Sequence, residues 1–207
     1  MTSEGQASST LTAYGHSWVT GEAASDPSRG FVEAAARELG LDAINLGVGG
    51  SASAYTADNV SRQPAPESGA YVVMTGLNDA RRYGDSPESL ASYVAALRMI
   101  FDALGDASPA APVVAVAQPR LLDYSLHAPH DRGSDLTIDL YNDRLRIVVE
   151  RSPQVVLVAA RGWNPAAMLA EDTVHPNDAG HAELARAVVR ALRWRPVAGQ
   201  RRSGDTR

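Results

Sequence analysis

Side chains that could carry out acyl chemistry occur in two short segments near opposite ends of the chain. Ser17 lies in the segment GHSW, and Asp172 and His175 lie three residues apart in the segment DTVHPN. A serine hydroxyl becomes an effective nucleophile when an imidazole takes its proton, and a carboxylate can fix the tautomer of that imidazole. The residue types and their spacing therefore permit a nucleophile, a base and an orienting carboxylate, provided that the fold brings the two segments together.

Two further segments contain groups that could stabilise a developing negative charge. The segment NLGVGG ends at Gly50, and the segment GLND contains Asn78. A glycine allows its backbone N–H to approach an oxyanion closely, and an asparagine amide supplies a second donor. Together they could form an oxyanion hole.

Short apolar runs alternate with helical patterns along the chain, which is typical of an α/β domain with a parallel sheet. The predicted helices begin at Asp26-Pro27, at Ser86-Pro87, and near residues 135 and 178, and Gly40 and Gly105 are expected to end the first two. We predict strands, each apolar enough to be covered on both faces, over 11–15, 42–46, 70–75, 113–117 and 155–160. Right-handed crossovers then give a three-layer α/β/α sandwich with a flavodoxin-like five-stranded parallel sheet, which binds ligands at the carboxyl ends of its strands.

Taken together, the four segments resemble those of the SGNH/GDSL hydrolase family in order and spacing. The resemblance implies that Ser17 is the nucleophile, His175 the base and Asp172 its orienting residue. It also implies an oxyanion hole formed by Ser17, Gly50 and Asn78. A small acyl ester or thioester is the implied substrate, and the reaction is expected to need no metal and no cofactor. The segments VAQP, which ends at residue 119, and YN at 141–142 match the family as well.

The sequence departs from the family at the nucleophile segment, where His16 replaces the usual aspartate and Trp18 replaces an aliphatic residue. We hypothesise that His16 alters the pH dependence of the site; the alternative is that it packs and forms hydrogen bonds within the turn. Substrate contacts are expected from His16, Trp18 and two histidines of the long loop 120–134, His127 and His130. Trp163 is a further candidate, although core packing is an alternative role for it.

Other functions are compatible with parts of the sequence. The same nucleophile could pass an acyl group to a hydroxyl acceptor, as in an acyltransferase, or the fold could serve as a catalytically silent binding module. Residues 47–52 fit a dinucleotide-binding fingerprint, but we expect no long amphipathic helix after them and before Pro64. Asp172, His175 and His181 could suggest a metal site, but His181 is predicted to lie inside the last helix.

Length and composition set the remaining limits. The 207 residues fit one hydrolase domain at 11–195, with a flexible segment at 1–10 and a flexible basic tail at 196–207. The chain has no lysine and a formal charge of -5, which disfavours nucleic acid as a partner, and it has no cysteine. We identify no signal peptide and no membrane span, so we expect a cytoplasmic enzyme, and the sequence leaves its oligomeric state open.

Overall fold

A computed structural model describes residues 9–194 and shows a five-stranded parallel sheet with the strand order β2-β1-β3-β4-β5. The predicted flexible tail, 196–207, and most of the predicted N-terminal segment lie outside the described residues. The strands are β1 (Thr10–Gly15), β2 (Asp42–Asn45), β3 (Ala70–Met74), β4 (Val113–Val116) and β5 (Val155–Val158). The first residue of each strand lies within one residue of the predicted start. The predicted α/β sandwich with its parallel sheet is therefore confirmed.

Helices cover both faces of this sheet. They are α1 (Phe31–Leu39), α2 (Ser53–Arg62), α3 (Leu77–Tyr83), α4 (Pro87–Ala107), α5 (Asp135–Val149), α6 (Pro165–Met168) and α7 (Asp178–Arg193). The first and last long helices, α1 and α7, pack together, whereas α4 packs between α2 and α5. Among the described residues, no helix is both long enough and apolar enough to cross a membrane.

Burial along the sheet follows the position of each strand. All residues of β3 and β4 are buried, because these strands lie in the interior of the sheet between two helical layers. The prediction that every strand is covered on both faces is wrong for β2, whose residues are exposed or half-buried. Since β2 forms one edge of the sheet, it has a strand neighbour on one side only.

Several helical features differ from the predictions. Residues 53–62 form a ten-residue helix, α2, in the region where we expected no long amphipathic helix, and α3 was not predicted. Helix α4 continues past Gly105 and ends at Ala107, because glycine weakens a helix without necessarily ending it. The segment opened by Asp26-Pro27 divides into a short 3₁₀ turn, Pro27–Arg29, followed by α1, which ends at Gly40 as predicted.

Candidate active site

The turn that carries Ser17 begins immediately after β1. Gly15 has φ +150°, and a Cβ atom there would lie 1.9 Å from the carbonyl oxygen of Met74 on the neighbouring strand, so only glycine fits. The Ser17 carbonyl accepts hydrogen bonds from the backbone N–H of Glu22 and from the hydroxyl of Thr20. This turn fixes the backbone of Ser17 at the carboxyl end of a central strand.

Asp172 and His175 lie in a turn before α7. One oxygen of Asp172, Oδ1, accepts the backbone N–H groups of Val174 and His175, both at 2.9 Å. Asn177 then caps α7 by accepting from the N–H groups of Ala179 and Gly180. The local hydrogen bonds therefore set the direction of the His175 side chain.

These two turns bring three side chains into one hydrogen-bonded chain. The second oxygen of Asp172, Oδ2, lies 2.6 Å from His175 Nδ1, and His175 Nε2 lies 2.9 Å from Ser17 Oγ. A carboxylate only accepts hydrogen bonds, so Nδ1 carries the proton, and the lone pair of Nε2 accepts from the serine hydroxyl. In this tautomer the imidazole can remove the proton of Ser17.

Hydrogen bonds keep Asp172 ionised. Burial raises the pKa of its carboxyl group, but the N–H groups of His175 and Val174 and the His175 ring outweigh that effect, and the net pKa is lower than usual. Because the ionised form is the one that accepts all of these hydrogen bonds, Asp172 stays a carboxylate over the range in which histidines titrate.

Three hydrogen-bond donors face the same region without an acceptor of their own. Within residues 9–194, no acceptor is found for the backbone N–H of Ser17 or of Gly50, and Gly50 has φ +70°. The Asn78 amide uses one N–H to reach the carbonyl of Ser51 at 3.0 Å, which fixes the amide and leaves its other N–H available. Ser17, Gly50 and Asn78 all line one cavity.

This cavity has a volume of about 360 Å³ and also exposes His175. Other parts of its wall are formed by Glu22, Arg81, His127 and His130. The expected contact residues His127 and His130 therefore lie at the cavity, and His127 Nε2 is 3.1 Å from the carbonyl oxygen of Asp172. Loop 120–134 thus forms a wall of the site and contacts the turn that carries the carboxylate.

Three other expected contact residues, Trp18, Trp163 and His16, do not line the cavity. Trp18 has no exposed surface, and Trp163 stacks on it with ring centroids 5.2 Å apart. The indole N–H of Trp163 donates to the carbonyl of Arg120 at 2.9 Å, which ties the beginning of loop 120–134 to the segment after β5. The alternative of core packing therefore describes Trp163 better than substrate contact, because one face of its ring covers Trp18.

His16 is also fully buried and does not line the cavity. Its Nδ1 accepts the backbone N–H of Trp18, and its Nε2 donates to Gln118 Oε1 at 3.0 Å. The side-chain amide of Asn142 in turn holds the Gln118 backbone: its oxygen accepts the Gln118 N–H, and its NH₂ group donates to the Gln118 carbonyl. Burial lowers the pKa of His16 to about 4, so the ring is neutral above that pH. The structure therefore favours the packing alternative for His16.

Two charged residues of the cavity wall, Glu22 and Arg81, were missed by the sequence analysis. Glu22 Oε2 lies 3.7 Å from His175 Nε2, and Arg81 lies within α3. The signal for Arg81 was its position three residues after Asn78, which places both residues on one face of a helix once α3 is recognised. His181, considered for a metal site, lies within α7, and its Nε2 is 3.1 Å from the carbonyl oxygen of Glu22.

The fold is an α/β/α sandwich, and the side chains described above meet at the carboxyl edge of its parallel sheet. The model of the GDSL-like lipase/acylhydrolase family matches residues 11–183, and the chain belongs to this family. The chain is also similar to an acetylxylan esterase of Geobacillus stearothermophilus, at 27% identity over 181 residues, with 79% of this chain and 77% of that protein covered.

Solved structures share the fold at lower identity. A lipase/acylhydrolase from Enterococcus faecalis superposes with a TM-score of 0.69 at 17% identity, covering 88% of this chain and 94% of that one. A salicylyl-acyltransferase from a tetracycline biosynthetic pathway superposes with a TM-score of 0.70 at 18% identity, covering 94% of this chain and 57% of that one. The protein is thus a GDSL-type esterase or acylhydrolase by family.

Proposed function

We propose that this protein is a serine esterase that hydrolyses a small acyl ester or thioester through an acyl-enzyme on Ser17. One observation carries the proposal: Ser17 Oγ, the His175 ring and the Asp172 carboxylate form a continuous hydrogen-bonded chain beside a cavity. A nucleophile, a base and an orienting carboxylate in this arrangement are the groups that acyl transfer requires.

In the first half of the reaction, Ser17 Oγ attacks the acyl carbon while His175 Nε2 takes the hydroxyl proton. The C–O or C–S bond to the leaving group then breaks, and the imidazolium returns the proton to the leaving alcohol or thiol. Asp172 keeps its negative charge throughout and stabilises the positive imidazolium.

The negative charge of the tetrahedral intermediate falls on the former carbonyl oxygen. The N–H groups of Ser17 and Gly50 and the free N–H of Asn78 are the donors proposed to bind it. Such donors are effective because they are oriented before the reaction begins and need not reorganise when the charge appears.

In the second half, water attacks the acyl-enzyme. His175 Nε2 takes a proton from that water and passes it to Ser17 Oγ as the acyl C–O bond breaks, which releases the acid and restores the hydroxyl. We expect a short acyl group, because the similar protein from Geobacillus stearothermophilus is an acetylxylan esterase.

The proposal can be tested without knowing the substrate. Treatment with a fluorophosphonate should add one label, and peptide mapping should place it on Ser17. The Ser17→Ala protein should remain unlabelled, and the His175→Ala protein should label far more slowly, because its serine lacks a base. A label on a different serine, or none under conditions that fully label a known serine hydrolase, would refute the proposal.

The same enzyme can be used to test whether water or an alcohol is the final acceptor of the acyl group. With an acetyl ester as donor and a series of alcohols present, free acetate should form faster than any new ester. Predominant formation of new esters would instead identify an acyltransferase that uses the same Ser17 chemistry.

A further inference from the structure

Arg81 is a buried cation in the wall of the candidate active site. Only 4% of its surface is exposed, and it lines the same cavity as Ser17 and Asn78. The next residue along α3, Arg82, is exposed and lies over the ring of Tyr83. Two adjacent arginines of one helix therefore have opposite environments, and only one of them faces the site.

The charge of Arg81 has no directly bonded counter-ion within residues 9–194. No carboxylate of this region forms a salt bridge with it, although other arginines of the same region form many ion pairs. Its Nη2 donates to the carbonyl of Leu126 at 3.3 Å, and its buried Nε has no hydrogen-bond partner. An arginine carries five N–H donors and stays protonated, and among the described residues one protein acceptor, the carbonyl of Leu126, is found for the Arg81 side chain.

A buried charge without a counter-ion is unfavourable, and such groups normally pair with an opposite charge. Burial accordingly lowers the pKa of the Arg81 guanidinium, and Asp172, Tyr124 and Asp131, none of which forms a salt bridge with it, only partly oppose this effect. Next to Arg81 in the cavity wall, the buried His130 Nε2 also lacks a partner. The unpaired Arg81 Nε and His130 Nε2 are themselves buried, so the other N–H groups of Arg81, which lines the cavity without a salt bridge, mark this part of the wall as a site for an external acceptor.

We propose that Arg81 binds a carboxylate of the substrate and makes the enzyme selective for anionic esters. This inference rests on the proposed esterase function. The planar guanidinium presents parallel N–H groups that match the two oxygens of a carboxylate, so it selects for charge and for geometry. The carboxylate can belong to the acyl group, as in a half ester of a dicarboxylic acid, or to the alcohol.

Arg81 also has structural contacts, which the test must separate from substrate binding. Its backbone carbonyl accepts the N–H of Arg132, and its Nη2 contacts loop 120–134. A purely structural role would affect all substrates alike. Selectivity for charge is therefore measured as a ratio between matched charged and neutral esters.

Two pairs of esters distinguish the two sources of the carboxylate. For the acyl side, 4-nitrophenyl hemisuccinate is compared with 4-nitrophenyl methyl succinate. For the alcohol side, 3-acetoxybenzoate is compared with 3-acetoxybenzamide. The value of kcat/KM is measured for each ester with the wild-type, Arg81→Gln, Arg81→Lys and Arg82→Gln proteins, at low and at moderate salt.

We expect Arg81→Gln to lower kcat/KM for one charged ester about thirtyfold or more relative to its neutral counterpart. Arg81→Lys should recover part of this loss, because it restores the charge without the planar fork. Arg82→Gln removes the same charge outside the cavity and should change the ratio less than about threefold. Equal losses for charged and neutral esters in both pairs would overturn the proposal.

Binding to inactive protein gives a readout that does not depend on turnover. Calorimetry with the Ser17→Ala protein should show tighter binding of the selected charged ester than of its neutral partner, and the additional Arg81→Lys change should reduce that difference. Equal affinities for the two esters would overturn the role of Arg81. Failure of fluorophosphonate labelling of the wild-type protein would refute the esterase function instead, so the two failures are distinguishable.

Discussion

Glu22 Oε2 lies 3.7 Å from His175 Nε2, the same ring nitrogen that faces the hydroxyl of Ser17. In the proposed reaction His175 takes the serine proton, and this nitrogen then becomes part of a positive imidazolium with Glu22 on one side and Asp172 on the other. Glu22 is about half exposed, with 54% of its side chain accessible, so solvent weakens its effect without removing it.

We therefore predict that Glu22→Gln lowers kcat/KM about threefold to tenfold, because the transition state loses a nearby negative charge. Added salt should reduce the activity of the wild-type enzyme towards that of the variant, since it screens the same interaction. The control is Glu88→Gln, which removes a charge from the exposed first turn of α4. Equal activity of the Glu22→Gln and wild-type proteins at low salt would contradict the role assigned to Glu22.

Asn78→Ala should lower kcat about a hundredfold to a thousandfold, the cost of removing one oxyanion donor. The hydrogen bond of Asn78 to Ser51 holds the amide in a fixed orientation, so a neighbouring group cannot readily replace it. Steady-state kinetics with an acetyl ester measure the effect, and Asn59→Ala on α2 is the matched control. A loss below threefold would remove Asn78 from the oxyanion hole.

His16 should make the folded state less stable as the pH falls. In the unfolded chain its pKa is near the ordinary value of 6.5, whereas burial lowers it to about 4 in the folded protein. Between these values the unfolded state binds a proton that the folded state does not, so acidification favours unfolding by up to about 3 kcal/mol.

The His16→Asn protein should therefore lose less stability than the wild type between pH 7 and pH 4, as measured by urea unfolding. Comparison at pH 8, where the His16 ring is neutral in both states, gives the separate effect of altered packing. Above pH 5.5 the substitution should leave the shape of the kcat/KM profile unchanged. A shifted acid limb would restore the hypothesis that His16 controls the pH dependence of the reaction.

Trp163→Ala should lower the free energy of unfolding by about 2 kcal/mol, because the fully buried Trp18 loses the ring that stacks on it. Trp163→Phe should lose less, since it keeps an aromatic ring but not the hydrogen bond to Arg120. Trp194 is 86% exposed, so Trp194→Ala is a suitable control and should change stability by less than about 0.5 kcal/mol. Equal stability of the Trp163→Ala and wild-type proteins would show that the stacking contributes little.

The sequence predicted the sheet well because its central strands are short, apolar and rich in β-branched residues. It also indicated that Ser17, Gly50 and Asn78 follow successive strands, and in a parallel sheet such residues meet at one edge. Short α3 escaped prediction because seven residues contain too few helical turns to show a period. Without α3, the spacing between Asn78 and Arg81 could not be read as one helical face, so the cavity-facing position of Arg81 was missed.

The burial of His16 and Trp18 shows a second limit of sequence reasoning. Both residues adjoin Ser17 in the chain, which suggested contact with a substrate. In a tight turn, however, neighbouring side chains point in different directions, and these two point into the core. Proximity along the chain therefore says little about which side chain faces a ligand.

The bond between His127 and the Asp172 carbonyl joins two loops that could otherwise vary separately. One loop forms part of the wall that a substrate would meet, and the other carries the carboxylate that orients His175. An insertion or deletion in loop 120–134 would thus alter both the range of substrates and the alignment of the proposed base. Specificity and turnover in this protein should therefore evolve together, with changes to one loop selecting compensating changes in the other.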